Sequence, residues 1–209
     1  MHLEAELFET IAGFERVAAS LYGRLAPELL TPAKQALLAG FAARADVPCL
    51  DGYPELLAAR DGLVAVANGP AIRDVLLVQG LILEPLASIV YRTLSEQSGV
   101  SDAGRTLAAL GTASAVSVER SLRLLIENHV GRGDQLFRAF VTVTRPVLGR
   151  LDTFGEAVDE VFGEAFGLRF ADVVGELGGE LLPVMTGLGV ERRKLVVHLA
   201  QSLMGAGSA

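Results

Sequence analysis

Apolar residues recur along this chain at alternating spacings of three and four, the period of a helix with one face packed into a bundle. Leu7, Ile11, Phe14, Ala18, Leu21 and Leu25 mark the first such face, which predicts a helix from about Leu3 to Ala26. Pro27 to Pro32 interrupts it, and there Thr31 can cap a second helix whose first turn takes Pro32 and which reaches about Asp46, ahead of Pro48. The stretch Val47 to Tyr53 reads as a loop, Pro54 opens a helical segment to about Ala67, and Asn68-Gly69-Pro70 breaks the chain again. A long helix follows from about Ala71 to Gln97. After a turn in which Ser101 or Asp102 serves as cap, another runs to about Val130, where Gly131 and Gly133 end it. Shorter helices are predicted over Asp134 to Arg150, Thr153 to Phe166, Phe170 to Leu182 and Val190 to Met204. Only Phe140-Val141-Thr142-Val143-Thr144 has a β-like composition, and one short run without a partner makes no sheet.

Within this pattern a few polar residues fall where apolar ones belong. Phe14-Glu15-Arg16-Val17-Ala18-Ala19-Ser20-Leu21-Tyr22 in the first helix is echoed by Leu83-Glu84-Pro85-Leu86-Ala87-Ser88-Ile89-Val90-Tyr91 in the long helix after Asn68-Gly69-Pro70. Both read apolar-Glu with a tyrosine seven residues on, close to two turns, so each glutamate shares a face with its tyrosine. Glu15 borders Ile11, Ala12, Ala18 and Ala19, and Glu84 borders Gly80, Leu81, Ala87 and Ser88, which places both carboxylates beside the apolar face. On the next helix Ala108, Thr112, Ala115, Glu119, Leu122, Ile126 and His129 form a stripe that puts a third carboxylate on an inward-looking face. Carboxylates taken out of water are costly unless paired, protonated or bound to metal. Pro85 removes a backbone donor in mid-helix and is expected to kink or bulge the chain beside Glu84.

On these residues the chain, over roughly Leu3 to Val130, resembles the ferritin-like, rubrerythrin-like superfamily of antiparallel four-helix bundles. In that family two helices each give a glutamate and two give a Glu-x-x-His pair, together holding two irons. The resemblance matches Glu15 and Glu84 to the single glutamates, Tyr22 and Tyr91 to the tyrosines that follow them, and Glu119 to the glutamate of one pair. The histidine position after Glu119 is Leu122, and on the second helix Ala43-Arg44-Ala45-Asp46 offers Asp46 with no glutamate. The implied fold is all-α: a ferritin-like antiparallel four-helix bundle over residues 1–130, with residues 131–209 as a C-terminal helical extension packed on the same domain.

The expectation for function is a bundle that has lost its di-iron site and binds an apolar small molecule or partner in its interior without a cofactor. Glu15 or Glu84 would serve as acid or base, and Tyr22 or Tyr91 as hydrogen-bond donor. One alternative is an oxidase or hydroxylase with iron or manganese on Glu15, Glu84, Glu119 and Asp46, since carboxylate oxygens suit hard cations. The other is a structural protein that assembles through its helix faces as a homo-oligomer.

Composition narrows the setting. The 209 residues are 51% apolar, with 23 glycines and no tryptophan, enough for a sizeable core. A net charge of −7 leaves no basic stripe for phosphates, so nucleic acid is not an expected partner. The lone Cys49 excludes an internal disulfide and fits a reducing cytoplasm. The start Met1-His2-Leu3-Glu4-Ala5-Glu6 lacks the basic and apolar regions of an export signal. Val75 to Val90 is interrupted by Gln79, Glu84 and Pro85 and falls short of the ~20 apolar residues of a membrane span.

Of the three histidines, His2 reads as terminal, His129 as a cap or rim residue, and His198, beside Glu191, Lys194 and Gln201, as solvated. Glu156, Asp159, Glu160 and Glu164 read as the wet face of a helix whose other face is Phe154, Val158, Val161 and Phe162. Gly175 to Gly179 has no preceding strand and no lysine, and so makes a poor phosphate loop.

Overall fold

The computed structural model describes residues 54–67, 72–98, 102–127 and 132–204, and among these there are helices and turns but no strand. We number the described helices in chain order. α1 is Pro54–Ala67, α2 spans 72–98, α3 is Asp102–Glu127, α4 spans 134–166, α5 is Phe170–Gly187 and α6 is Arg192–Met204. The Phe140 to Thr144 stretch lies in the middle of α4, where Thr144 Oγ1 donates to the Phe140 carbonyl at 2.6 Å and so satisfies its hydroxyl within the helix.

Two helices are longer than their patterns predict. The expected break between Arg150 and Thr153 is absent, because α4 runs unbroken from Asp134 through a π-helical turn at Asp159–Gly163. α5 likewise continues past Leu182 to Gly187. Pro146 and Pro183 sit inside these helices on exposed positions, so each missing backbone donor faces solvent instead of breaking the helix.

α2 carries the distortion that Pro85 leads one to expect. Its turn Gln79–Leu83 is π-helical, and the Glu84 N–H reaches back to the Gln79 carbonyl, one residue further than in an α-helix. The wider turn falls immediately before the proline, whose ring would otherwise crowd the preceding turn.

α2 and α3 form the most extensive helix pair, and they approach closely through small residues. A Cβ added at Gly80 would lie 2.2 Å from the Cβ of Ser121, closer than two such atoms ever sit. At Gly111 it would lie 3.6 Å from the Ser88 backbone oxygen. Ser88 Oγ donates to the Gly111 carbonyl at 3.3 Å and Ser95 Oγ to the Gly104 carbonyl at 3.0 Å, stitching the antiparallel pair along its length.

Around this pair the remaining helices close one hydrophobic core. α4 lies against α1 and the first part of α2, α5 against the second part of α2, and α6 against α4 and α5. The core joins Leu63, Leu77, Ile82, Ile89, Leu110, Phe140, Leu151, Phe162, Leu181, Met185 and Leu195, with members from every described helix. By length and composition alone, Leu76–Gln97 is long and apolar enough to cross a membrane, a test that a buried core helix also passes. It is 22 residues long with a mean hydropathy of 1.2, and 67% of that window is buried against the other helices.

Two local devices orient the C-terminal helices. Phe170 opens α5 with its N–H bonded at 2.8 Å to Asp159 Oδ1 from the π-turn of α4, a carboxylate cap from a neighbouring helix. Asp159 is therefore more than a wet-face residue. Gly133 and Gly189 meet backbone to backbone with positive φ of 57° and 85°, and the Gly133 N–H bonds the Leu188 carbonyl at 3.1 Å. A side chain at either position would be strained, so these glycines let the α5–α6 turn dock on the start of α4.

The seam between α2 and α3 makes a quantitative prediction. Gly80→Ala should cost ~1–3 kcal/mol by overpacking, read as a lowered Tm in thermal circular dichroism, and Ser121→Gly in the same chain should restore most of it. Gly111→Ala should cost less, since its Cβ meets ordinary contacts and alanine favours the helix.

Candidate functional site

Most polar residues buried among the described ones lie along the α2–α3 seam: Gln79 and Glu84 on α2, and Ser114, Ser117 and Ser121 on α3. The serines recur at three and four, on the face that also carries Leu107, Leu110 and Leu125. Ser117 Oγ donates to the Ala113 carbonyl at 3.1 Å and Ser121 Oγ to the Ser117 carbonyl at 2.8 Å. Back-bonding of this kind lets a hydroxyl enter the core at small cost. Ser114 Oγ, also fully buried, has no hydrogen-bond partner among the described residues.

Glu84 is the only carboxylate buried among the described residues, at 2% exposure. The register set by Gly80 against Ser121 and Ser88 against Gly111 places it level with Ser117 across the seam. It is also the first residue after the π-turn, so its direction is set by the local backbone that Pro85 imposes. Tyr91 follows two turns along the same helix and is buried too, with its Cβ on the α3 side close to Gly111.

Glu119 departs from its expected place. The stripe of Ala108, Thr112, Ala115, Glu119 and Ile126 points to solvent, and the Glu119 side chain is 74% exposed, 3.3 Å from Arg123 on the next turn. The buried face of α3 lies about one residue, or ~100°, around the helix from that stripe. Its small hydroxyl residues look polar in sequence, whereas the alanines and Ile126 outside look like core.

Glu15, Tyr22 and Asp46 lie outside the described residues, as do Cys49, His2 and His129. Among the described residues no three His, Cys, Asp or Glu side chains gather as a metal cluster. Glu84 enclosed and Glu119 in solvent do not fit one metal centre, and Leu122 supplies no imidazole.

His198 is also misplaced by the sequence reading. It is buried at 7% exposure, edge-on to Phe137 and Phe140, with Nε2 3.4 Å from Thr144 Oγ1 and Nδ1 3.3 Å from Ser202 Oγ. Burial, and then the charge of Arg145, push its pKa below the ordinary histidine value. Helical position separates it from its polar neighbours: Lys194 pairs with Asp134 and Glu191 at the rim, while His198 and Leu195 turn inward.

No protein-family model, curated protein or solved structure matches this chain.

The contrast between the two glutamates is measurable. Glu119→Ala should leave stability within about 0.5 kcal/mol of wild type in urea unfolding, as for an ordinary surface position. Glu84→Ala, which empties a buried site, should move the unfolding midpoint clearly. Equal effects at both positions would contradict the burial assigned to them.

Proposed function

We propose that this chain is a helical binding protein, derived from a ferritin-like frame without a working di-iron site, that takes a largely apolar small molecule into its interior with Glu84 as polar anchor. The observation that carries this reading is the buried carboxyl of Glu84, placed directly after a π-turn whose buried residues are Gln79, Gly80, Leu81 and Ile82. Ligand sites combine an apolar lining with a few fixed polar groups, and π-turns recur at functional positions. Tyr91, two turns on, supplies a second polar group on the same helix.

The enzyme alternative, an oxidase with iron or manganese on Glu15, Glu84, Glu119 and Asp46, is less well supported, because Glu119 is exposed and engaged with Arg123. Assembly into a homo-oligomer draws support from Val196 and Val197, adjacent on α6 and each 45% exposed.

The binding reading expects saturable uptake of the neutral dye Nile red. Decylamine, an apolar chain with a cationic head, should displace it better than decanol does, and Glu84→Gln should abolish that preference. No saturable uptake, or a preference that survives Glu84→Gln, defeats the proposal. Near-stoichiometric iron or manganese in protein purified without chelator, lost in Glu84→Gln, would establish the metal enzyme instead.

A further inference from the structure

α6 is fastened to the rest of the protein in two chemically different ways. Its first turn is tethered by charge: Lys194 Nζ lies 2.8 Å from Asp134 Oδ1 at the start of α4 and 3.3 Å from Glu191 Oε2. The hydrogen bond with Lys194 holds the Asp134 carboxyl below its ordinary range, and the same bond holds Lys194 above its own. Further along, Leu195 and His198 enter the protein, while Val196 and Val197 between them stay exposed.

His198 is buried edge-on to two phenylalanines, a setting that favours the neutral ring. The Thr144 hydroxyl already donates to the Phe140 carbonyl at 2.6 Å, so toward His198 it can only accept. Nε2 therefore carries the ring proton, and Nδ1 accepts from the Ser202 hydroxyl. A second proton would occupy Nδ1, reverse the Ser202 bond so that Nδ1 donates to the hydroxyl oxygen, and add a charge to a buried position.

Among the described residues, no carboxylate is paired with His198. On α4 the charged group acting on His198 is Arg145, a cation; Arg138 is another cation, and Asp134 is engaged by Lys194. On α5, Asp172, Glu176 and Glu180 are exposed, and the last two pair with Arg92 of α2. On α6 itself Arg192 and Arg193 are cations, and Glu191 is held by Lys194.

We infer that His198 is an acid-sensitive latch, which on taking up a proton releases the C-terminal half of α6 from α4 while Lys194 keeps the first turn tethered to Asp134. Release uncovers Phe137, Phe140 and Thr144, a strip of α4 that is closed at neutral pH. The direction follows from linkage. A histidine whose pKa is lowered by folding contributes its stability fully above its ordinary value of about 6.5, and that contribution is lost as pH falls below it. The Asp134 tether, held below the usual carboxylate range, persists while His198 titrates.

Hydrogen exchange of the full chain, corrected for intrinsic rates, at about pH 7.5 and about pH 5.5 tests the latch directly. Amides of residues 197–204 should lose several-fold protection at the lower pH, while those of residues 134–150 keep theirs, and His198→Gln should remove the pH dependence. Unchanged protection in the wild type, or the same loss in His198→Gln, overturns the inference. Should His198→Gln fold poorly, an NMR titration of the wild-type imidazole decides, with His2→Gln and His129→Gln chains assigning the signals. A His198 that titrates at or above about 6.5 would also overturn it.

Discussion

The close approach of α2 and α3 is the constraint on which the rest of the described structure depends. Two helices come near enough for the position of Gly80 to exclude any side chain only where small residues face one another along the seam. Gly104, Gly111, Ser114, Ser117 and Ser121 on one helix and Gly80, Ala87, Ser88 and Ser95 on the other meet that condition. The hydroxyls of Ser88, Ser95, Ser117 and Ser121 each bond a carbonyl, on their own helix or the one opposite, while the Ser114 hydroxyl has no partner among the described residues. Small side chains here leave larger leucines and isoleucines of α2 free to meet α4 and α5.

That tight pair also gives Glu84 its character. Had α2 continued as a regular α-helix, Pro85 would have crowded the carbonyl of the turn before it. The π-turn at Gln79–Leu83 absorbs the difference without ending the helix, and Glu84 emerges from it into the protein rather than into water. Proline, π-turn and buried carboxyl are thus one local arrangement, and a binding role for Glu84 draws on all three.

The C-terminal helices share the apolar core and are oriented in addition by a few directional contacts. Their positions rest on a backbone contact between two glycines of positive φ, a carboxylate cap on Phe170, an ion pair at the rim and one neutral histidine inside. These directional contacts act beside the apolar packing of Val173, Leu177, Leu181, Met185 and Leu195 in the common core, and three of them involve titratable groups. A proton that weakens His198 leaves Asp134 bound to Lys194, so the C-terminal half of α6 responds to acid before its first turn does.

The amino-acid sequence by itself determined the helical class, the bounds of α1 almost to the residue, and the distortion beside Pro85, because hydrophobic period, proline chemistry and glycine breaks act over a few residues. It also identified Glu84 and Tyr91 as polar residues on a packed face. It did not determine which side of α3 faces inward, since a serine back-bonded to its own helix behaves as a small core residue while keeping a polar letter, and alanine is at home on either side. Hydrophobic period alone places Glu119 inward and His198 outward, the reverse of where they lie. Whether a side chain meets water is a property of the neighbouring helices, and only the packing of α2 on α3 and of α6 on α4 decided it.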